Sequence, residues 1–425
     1  MHQVCKGEKG SALITVLIVM GVLTVLGAAL MHYSMTDNLQ VFNDEKRMQA
    51  HYLARSGAEA VADYIMKNPE NADELLGKET EPVELGKGTF QVEVTKRDNG
   101  ELLIESTGDV DGFIRTVKLT LEPHSLGDYA VFCNSIIDMG GNAGIEGNVG
   151  TNATDANSIK ISGNSSIVGN VQVGPGGDPA DVISADKEGS IGGEIGQLES
   201  ERKYKVPEFP DEEFEELDNL EDLPSMIIDD EGVYKITGDG EDLIYSSINL
   251  KKGTLQIDVV EDVKIIVDSL YVGENIQLLG KGKVSLYVNN FEIGKGVNVD
   301  GTPGLLMMYY KGESLEINNK EIFCGTIFSD HADFIITGQG SITGNIIATG
   351  ANVVNDLGGG ATINGAFYAP NSTIKFSGNS AVNGLVVAND VVISGTFGLE
   401  YNDNIDFPYD DSEICTGFRK GIWSD

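Results

Sequence analysis

Catalytic signatures are missing from this 425-residue chain: it holds no Cys-x-x-Cys, no phosphate-binding P-loop, no Gly-x-Ser-x-Gly and no His-Glu-x-x-His. Cysteine is scarce. Cys5 stands near the start, and Cys133, Cys324 and Cys415 are far apart. Spacing leaves two arrangements open: a pair, with Cys324 and Cys415 tying the tail to the body, or buried free thiols. Basic residues are few. Lys and Arg number 29 against 66 Asp and Glu, a formal net charge of −37. That balance disfavours nucleic acid and anionic headgroups as partners and favours solubility and cationic ones.

What the chain does have begins with a long apolar run. Leu13 to Met31 is uncharged, and as one helix of 1.5 Å rise per residue it covers the ~30 Å of a bilayer core. A secretory signal's apolar region is about 7–15 residues. Lys6 and Lys9 precede the run and no charge follows until Asp37, which orients the N-terminus to the cytoplasm and exports the rest. An uncleaved signal anchor is the plain alternative.

From Thr36 to Met66 the apolar residues Leu39, Phe42, Met48, Tyr52, Leu53, Ala60, Val61, Tyr64 and Ile65 recur at mostly three- and four-residue steps, predicting an amphipathic helix that Asn68-Pro69 ends. Strand patterns follow at Thr89 to Val94, Leu102 to Glu105 and Ile114 to Leu121, with turn chemistry at Asp98-Asn99-Gly100 and Asp111-Gly112. They predict a three-stranded antiparallel meander packed on the preceding helix.

Beyond about Asp128 the composition turns to Gly, Asn, Ser, Thr, Val and Ile, and an internal repeat appears. Gly-x-x-x-(Ile/Val)-x-Gly occurs at 141–147, 163–169, 338–344, 359–365 and 378–384, around Ile145, Ile167, Ile342, Ile363 and Val382. Steps near twenty residues with short β runs predict a parallel β-helix, right-handed at this coil length. A Gly-rich sandwich explains the strands but not the fixed step. The stretch from Glu208 to Pro224 is dense in carboxylates and reads as an extended surface linker, with Phe209, Phe214, Leu217 and Leu220 placed to pin one side onto the β-helix.

Three parts of the chain resemble known families. Gly10-Ser11 before an apolar helix looks like a type IV prepilin leader. The resemblance implies cleavage after Gly10 and a mature, methylated N-terminus at Ser11, carried out by a prepilin peptidase and methyltransferase. It also implies a helix, with Leu13, Thr15, Leu17, Met20, Leu23, Leu26 and Met31, that serves first the membrane and then the filament core. Most major pilins carry Glu at the fifth mature position, where this chain has Thr15, a departure shared with minor pilins and GspK-type pseudopilins. Tyr52, Ala54, Ser56, Gly57 and Glu59 are similar to the Tyr-x-Ala-x-Ser-Gly-x-Glu signature of the PilX N-terminal family; Glu59 reads equally as a solvated helix-face carboxylate. Phe367 to Asn379, Asn383 to Ala388, Ile393 to Gly395 and Glu400 to Asp403 look like the final coils of β-helical domains attached to such stems.

The expected fold is mainly β with a long N-terminal α-helix. Its parts are a leader (1–10), a transmembrane and amphipathic helix (11–67), a small antiparallel sheet (83–123), a parallel β-helix (128–405) interrupted by an acidic linker at about 199–231, and a tail (406–425). The resemblance implies a structural, non-enzymatic minor pilin. It would be anchored as a single-pass cytoplasmic membrane protein and assembled into an extracellular pilus or pseudopilus. Other pilins or pseudopilins would be its partners, with a surface or glycan as a possible ligand. A secretion pseudopilin and a membrane-anchored β-helical carbohydrate-binding or carbohydrate-active protein are the alternatives. No cofactor is expected. Asp403 and Asp406, with Asp410-Asp411, are weak calcium candidates without EF-hand spacing, and Asp330-His331-Ala332-Asp333 falls at a coil corner.

Overall fold

A computed structural model describes residues 11–350 and 354–424. The cut expected after Gly10 lies outside them, as does the side chain of Ser11. The chain forms two compact units, Met1–Glu122 with Lys420–Asp425, and Pro123–Arg419.

In the first unit, helix α1 runs unbroken from Ser11 to Lys67. Its 57 residues contain no proline and extend roughly 85 Å at the standard rise. The Asn68 N–H still donates to the Tyr64 carbonyl, at 2.9 Å, and Pro69, lacking an N–H, stops the ladder. A meander follows: β1 (Val83–Leu85), β2 (Gly88–Lys96), β3 (Leu102–Val110) and β4 (Phe113–Pro123), each antiparallel to the next. A strand from the tail, Phe418–Ser424, completes the sheet beside β4, so the sheet has five strands rather than three. Lys420 Nζ pairs with Asp63 at 2.8 Å, and the Arg55 guanidinium lies 4.8 Å from the Trp423 ring centre.

The helix face that packs on this sheet differs from the expected one. Leu39, Phe42, Met48, Tyr52 and Tyr64 are exposed. The buried face is Ala50, Ala54, Ala58 and Ala62, one residue per four, ending on Ile65. Small side chains let the helix backbone descend onto β3. At Gly108 the approach is so close that a Cβ would sit 2.2 Å from the Ala50 carbonyl oxygen. Of the apolar residues expected on that face, Ile65 is buried and Leu53 half-buried, while the five named above are left exposed.

The second unit is a parallel β-solenoid of about twelve coils. Successive coils pair in register, for example Val263 with Val284 and Val284 with Leu306, then Ile327 with Ile346 and Ile346 with Phe367. The apolar centre of each repeat points into the stack: Ile145, Ile167, Ile342, Ile363 and Val382 are all buried. The leading glycines of the repeats have φ between 65° and 80°, a region that only glycine enters without strain. Together with Gly395 (φ 113°) they stack in one ladder, Gly338, Gly359, Gly378, Gly395, Gly141, Gly163, each too close to the next for a side chain.

That ladder reveals a coil order that the sequence order does not follow. Val131–Cys133 pairs with Val149–Thr151 on one side and with Val386–Ala388 on the other, and Asn142–Glu146 pairs with Thr396–Glu400. The first coils in sequence therefore stack on the last. In space the stack runs from Ser225–Gly238 at one tip through Glu400, continues at Val131, and finishes at Ile195–Gln197. Residues 199–224 must return from one tip to the other. They do so as a strap along the outside rather than as a free linker, and Met226, Ile228 and Ile236 already belong to the solenoid.

Candidate functional site

The strap is held by a second apolar layer on the outer face of the solenoid. Ile266, Tyr287, Tyr309, Phe328, Ile347, Tyr368 and Val387 occupy successive coils with their side chains outward, yet all are buried except the half-buried Tyr309, because the strap and the segment before the C-terminus cover them. Phe209 packs edge-on against Phe328 with centroids 5.3 Å apart, and Phe214 sits 5.7 Å from Tyr287. Leu217 is buried with them, whereas Leu220 is exposed. Glu213 accepts from Lys264 Nζ at 2.6 Å and Asp211 pairs with Lys311 at 2.7 Å. The remaining carboxylates of the strap face outward.

Where the chain enters and leaves the solenoid, a buried polar clasp joins three segments. Arg202, only 4% exposed, donates to Asp128 Oδ2 at 2.6 Å and to the Ser125 carbonyl at 2.9 Å, and lies over the Tyr129 ring. Arg419 reaches Asp128 Oδ1 at 3.2 Å, the Leu126 N–H donates to Asp411, and Tyr401 donates its hydroxyl to the Gly127 carbonyl. Burial works against the Asp128 charge, but the Arg202 guanidinium outweighs it and holds the carboxyl below its ordinary range. Burial, reinforced by Arg202, pushes the neighbouring His124 down to about 4. No sequence motif marks this clasp; its bonded partners lie up to 291 positions apart.

The residues singled out from sequence fall in separate places. Leu13, Leu17, Met20, Leu23, Leu26 and Met31 are each more than half exposed, and Thr15 is exposed among them. Among the described residues α1 is the one helix long and apolar enough to cross a membrane. In the Tyr52 to Glu59 segment, Ala54 and Gly57 are buried and Tyr52 and Ser56 exposed. Gly57 is required by contact: a Cβ there would be 2.5 Å from the Phe90 ring. Glu59 pairs with Arg55, one helical turn earlier, at 3.2 Å.

The metal candidates do not converge. Asp403 and Asp406 are exposed, and no group of three or more His, Cys, Asp or Glu placed to hold a metal occurs among the described residues. His331, 82% exposed, contacts Asp330 at 2.9 Å on the surface. Cys133, Cys324 and Cys415 are free buried thiols, which decides the open question of pairing. Burial pushes the Cys415 thiol up to about 12, making it unreactive.

These features define a class: a β-solenoid protein with a single exposed apolar helix at its N-terminal end. Residues 215–359 match the family model of a domain of unknown function, DUF7305. No curated protein matches the chain. Among solved structures the chain is similar to the competence-associated pilin ComZ from Thermus thermophilus, at 12% identity over 89% of this chain and 97% of that one. The TM-score is 0.25, too low to carry an argument about fold or role.

Proposed function

We propose that this chain is a structural minor pilin, inserted through α1 into a type IV filament or pseudopilus and displaying its solenoid outside the cell, without catalysis. One observation carries the reading. The same helix has two halves of opposite character: residues 12–31 are apolar and exposed along their whole length, and the half from Ala50 onward is bound to a sheet. An apolar helical surface of that length needs a bilayer or other helices around it, and moving between the two is a transfer between apolar environments, decided by packing.

Thr15 in place of the usual glutamate, and the bulk of the solenoid, fit a low-copy position such as a tip. The partners in this reading are other pilins or pseudopilins, together with the peptidase and methyltransferase that process Gly10-Ser11. N-terminal mass spectrometry of the membrane-extracted protein tests it. A mature start at Ser11, methylated, is the expected result, and Gly10→Val is expected to block processing. Normal maturation of that variant, or an intact Met1 in the wild type, would leave an anchored ectodomain instead.

A further inference from the structure

The two ends of the solenoid stack are finished differently. At one end the outermost strands, Ile183–Ala185 and Ile195–Gln197, have three residues each, in a stretch broken by Gly189, Gly192, Gly193 and Gly196. Short, interrupted edges keep a sheet from pairing further. At the other end Ser225–Ile228 and Gly232–Gly238 supply four and seven residues. Both pair in parallel with the coil beneath, Leu243–Leu250 and Gly253–Val259. Ile228 and Gly238 turn their carbonyls to that coil, accepting from the Lys251 N–H at 3.2 Å and the Val260 N–H at 2.9 Å. Every second residue of a parallel strand bonds to the same neighbour, so the backbone groups of Ser225, Ile227, Val233, Lys235 and Thr237, all exposed, point out of the stack.

The side chains show the same open end. Met226, Ile228 and Tyr234 stay half-buried, although Ile248, Leu250 and Leu255, their register partners one coil down, are fully closed off. Charge adds a selection. One corner carries Asp229, Lys251, Glu274 and Lys295 on four successive coils, with Asp229 pairing Lys251 at 2.9 Å and Glu274 pairing Lys295. The column alternates in sign along the stack and stops on an acid. Residues 225–242 as a whole hold six carboxylates, three after each strand, against the single cation Lys235.

We propose that this end of the solenoid accepts an extended segment of another protein as an added strand, one with alternating apolar residues and with lysine or arginine at both flanks. The outward backbone groups supply the main-chain hydrogen bonds of strand addition, and the half-open interior above Met226, Ile228 and Tyr234 takes every second side chain of the incoming segment. Cations at its flanks meet the six carboxylates and continue the alternation above Asp229. A second copy of this chain fits worse. Joining two such ends sets six carboxylates against six, and the opposite end of the stack offers only its short, glycine-broken edge. Binding here needs nothing of the filament reading, since a chain that never enters a filament keeps the same end.

Titration of the full chain in detergent micelles with the labelled peptide Lys-Lys-Val-Thr-Val-Thr-Val-Lys-Lys, followed by fluorescence anisotropy and by hydrogen exchange at single amides, tests this. The controls carry glutamate for every lysine, or proline for the central valine. The lysine peptide is expected to bind, more weakly as salt rises, and to slow exchange of the Ile227, Val233, Lys235 and Thr237 amides roughly tenfold. The proline peptide has the same charge but lacks a backbone donor, and is expected to bind at least about tenfold more weakly. Lys235→Pro removes an N–H that points out of the stack, so it is expected to abolish binding although it also removes the one opposing cation; retained protection in Gly253–Val259 shows that the coil beneath is intact. The Asp230→Asn/Glu231→Gln/Glu241→Gln variant, which leaves the backbone edge alone, is expected to lose roughly tenfold in affinity, the worth of three exposed ion pairs. Absence of binding, equal affinity for either control peptide, protection gained in another segment instead, or undiminished affinity in the triple variant each overturns the assignment. Dimerisation of the free chain with the same amides protected overturns it too, in favour of a second copy.

Discussion

Asp128 sits between two guanidinium groups at the mouth of the solenoid, and what it holds there can be read through pH. A buried Arg202 loses hydration that only a paired carboxylate and well-placed carbonyls restore, so Asp128→Asn leaves a charge without its partner and is expected to cost about 3–5 kcal/mol in urea denaturation. His124 contributes with the opposite kind of group and the same direction in pH. Its folded value of about 4 lies below the ordinary 6.5. Between the two, the unfolded chain binds a proton that the native ring refuses. Stability is thus complete above pH 6.5 and falls as pH drops towards 4, by up to about 3 kcal/mol. The depressed Asp128 carboxyl adds a further loss below the ordinary carboxylate range. Urea midpoints measured at intervals across this range are expected to show the slope, and His124→Asn to flatten the part above pH 4.

At the scale of elements, the strap separates apolar from ionic anchoring. Phe209 and Phe214 fill a ring-lined groove over Tyr287, Tyr309 and Phe328, whereas Glu213 and Lys264 remain about a third exposed. Phe209→Ala is expected to cost about 3 kcal/mol locally and to open the strap to limited proteolysis. Glu213→Gln is expected to cost under about 1 kcal/mol and to leave the digestion pattern unchanged.

The apolar pins of the strap were readable in sequence, because aromatic residues among carboxylates have few other uses. The glycine repeat was readable for the same sort of reason, since a positive φ and a backbone contact leave only one residue type. The buried face of α1 was not. Its signal is alanine, which carries no hydropathy contrast, and it acquires meaning only from Gly108 on a strand fifty residues away. The C-terminal strand beside β4 was equally hidden, because Phe418 to Ser424 alternates weakly and its partner comes about three hundred residues earlier in the sequence. The clasp needed contacts between sequence-distant segments, which no local pattern encodes.

For the molecule as a whole, the decisive fact is that the solenoid closes on itself in the middle of its stack. Residues 131–146 have their neighbours at 386–400. Ending the chain at residue 383 removes those neighbours, and hydrogen exchange is expected to lose protection in residues 131–146 although they are intact, while residues 243–343 keep theirs. A solenoid wound in simple sequence order would show the reverse, with loss confined to the coils next to the cut.

Both tips of the stack are therefore made from the interior of the chain, and the strap that joins them spans most of its length. This ties the strap's span to the coil number. A coil inserted anywhere between residues 243 and 364 would lengthen the stack by about 4.8 Å, and the strap would have to unwind part of its tight helical turns at Asp211–Leu217 and Leu220–Asp222, or grow by one or two residues at about 3.3 Å each, to follow. Ordinary solenoids gain or lose coils independently of the rest of the chain. Here the number of coils and the span of an acidic ribbon must change together.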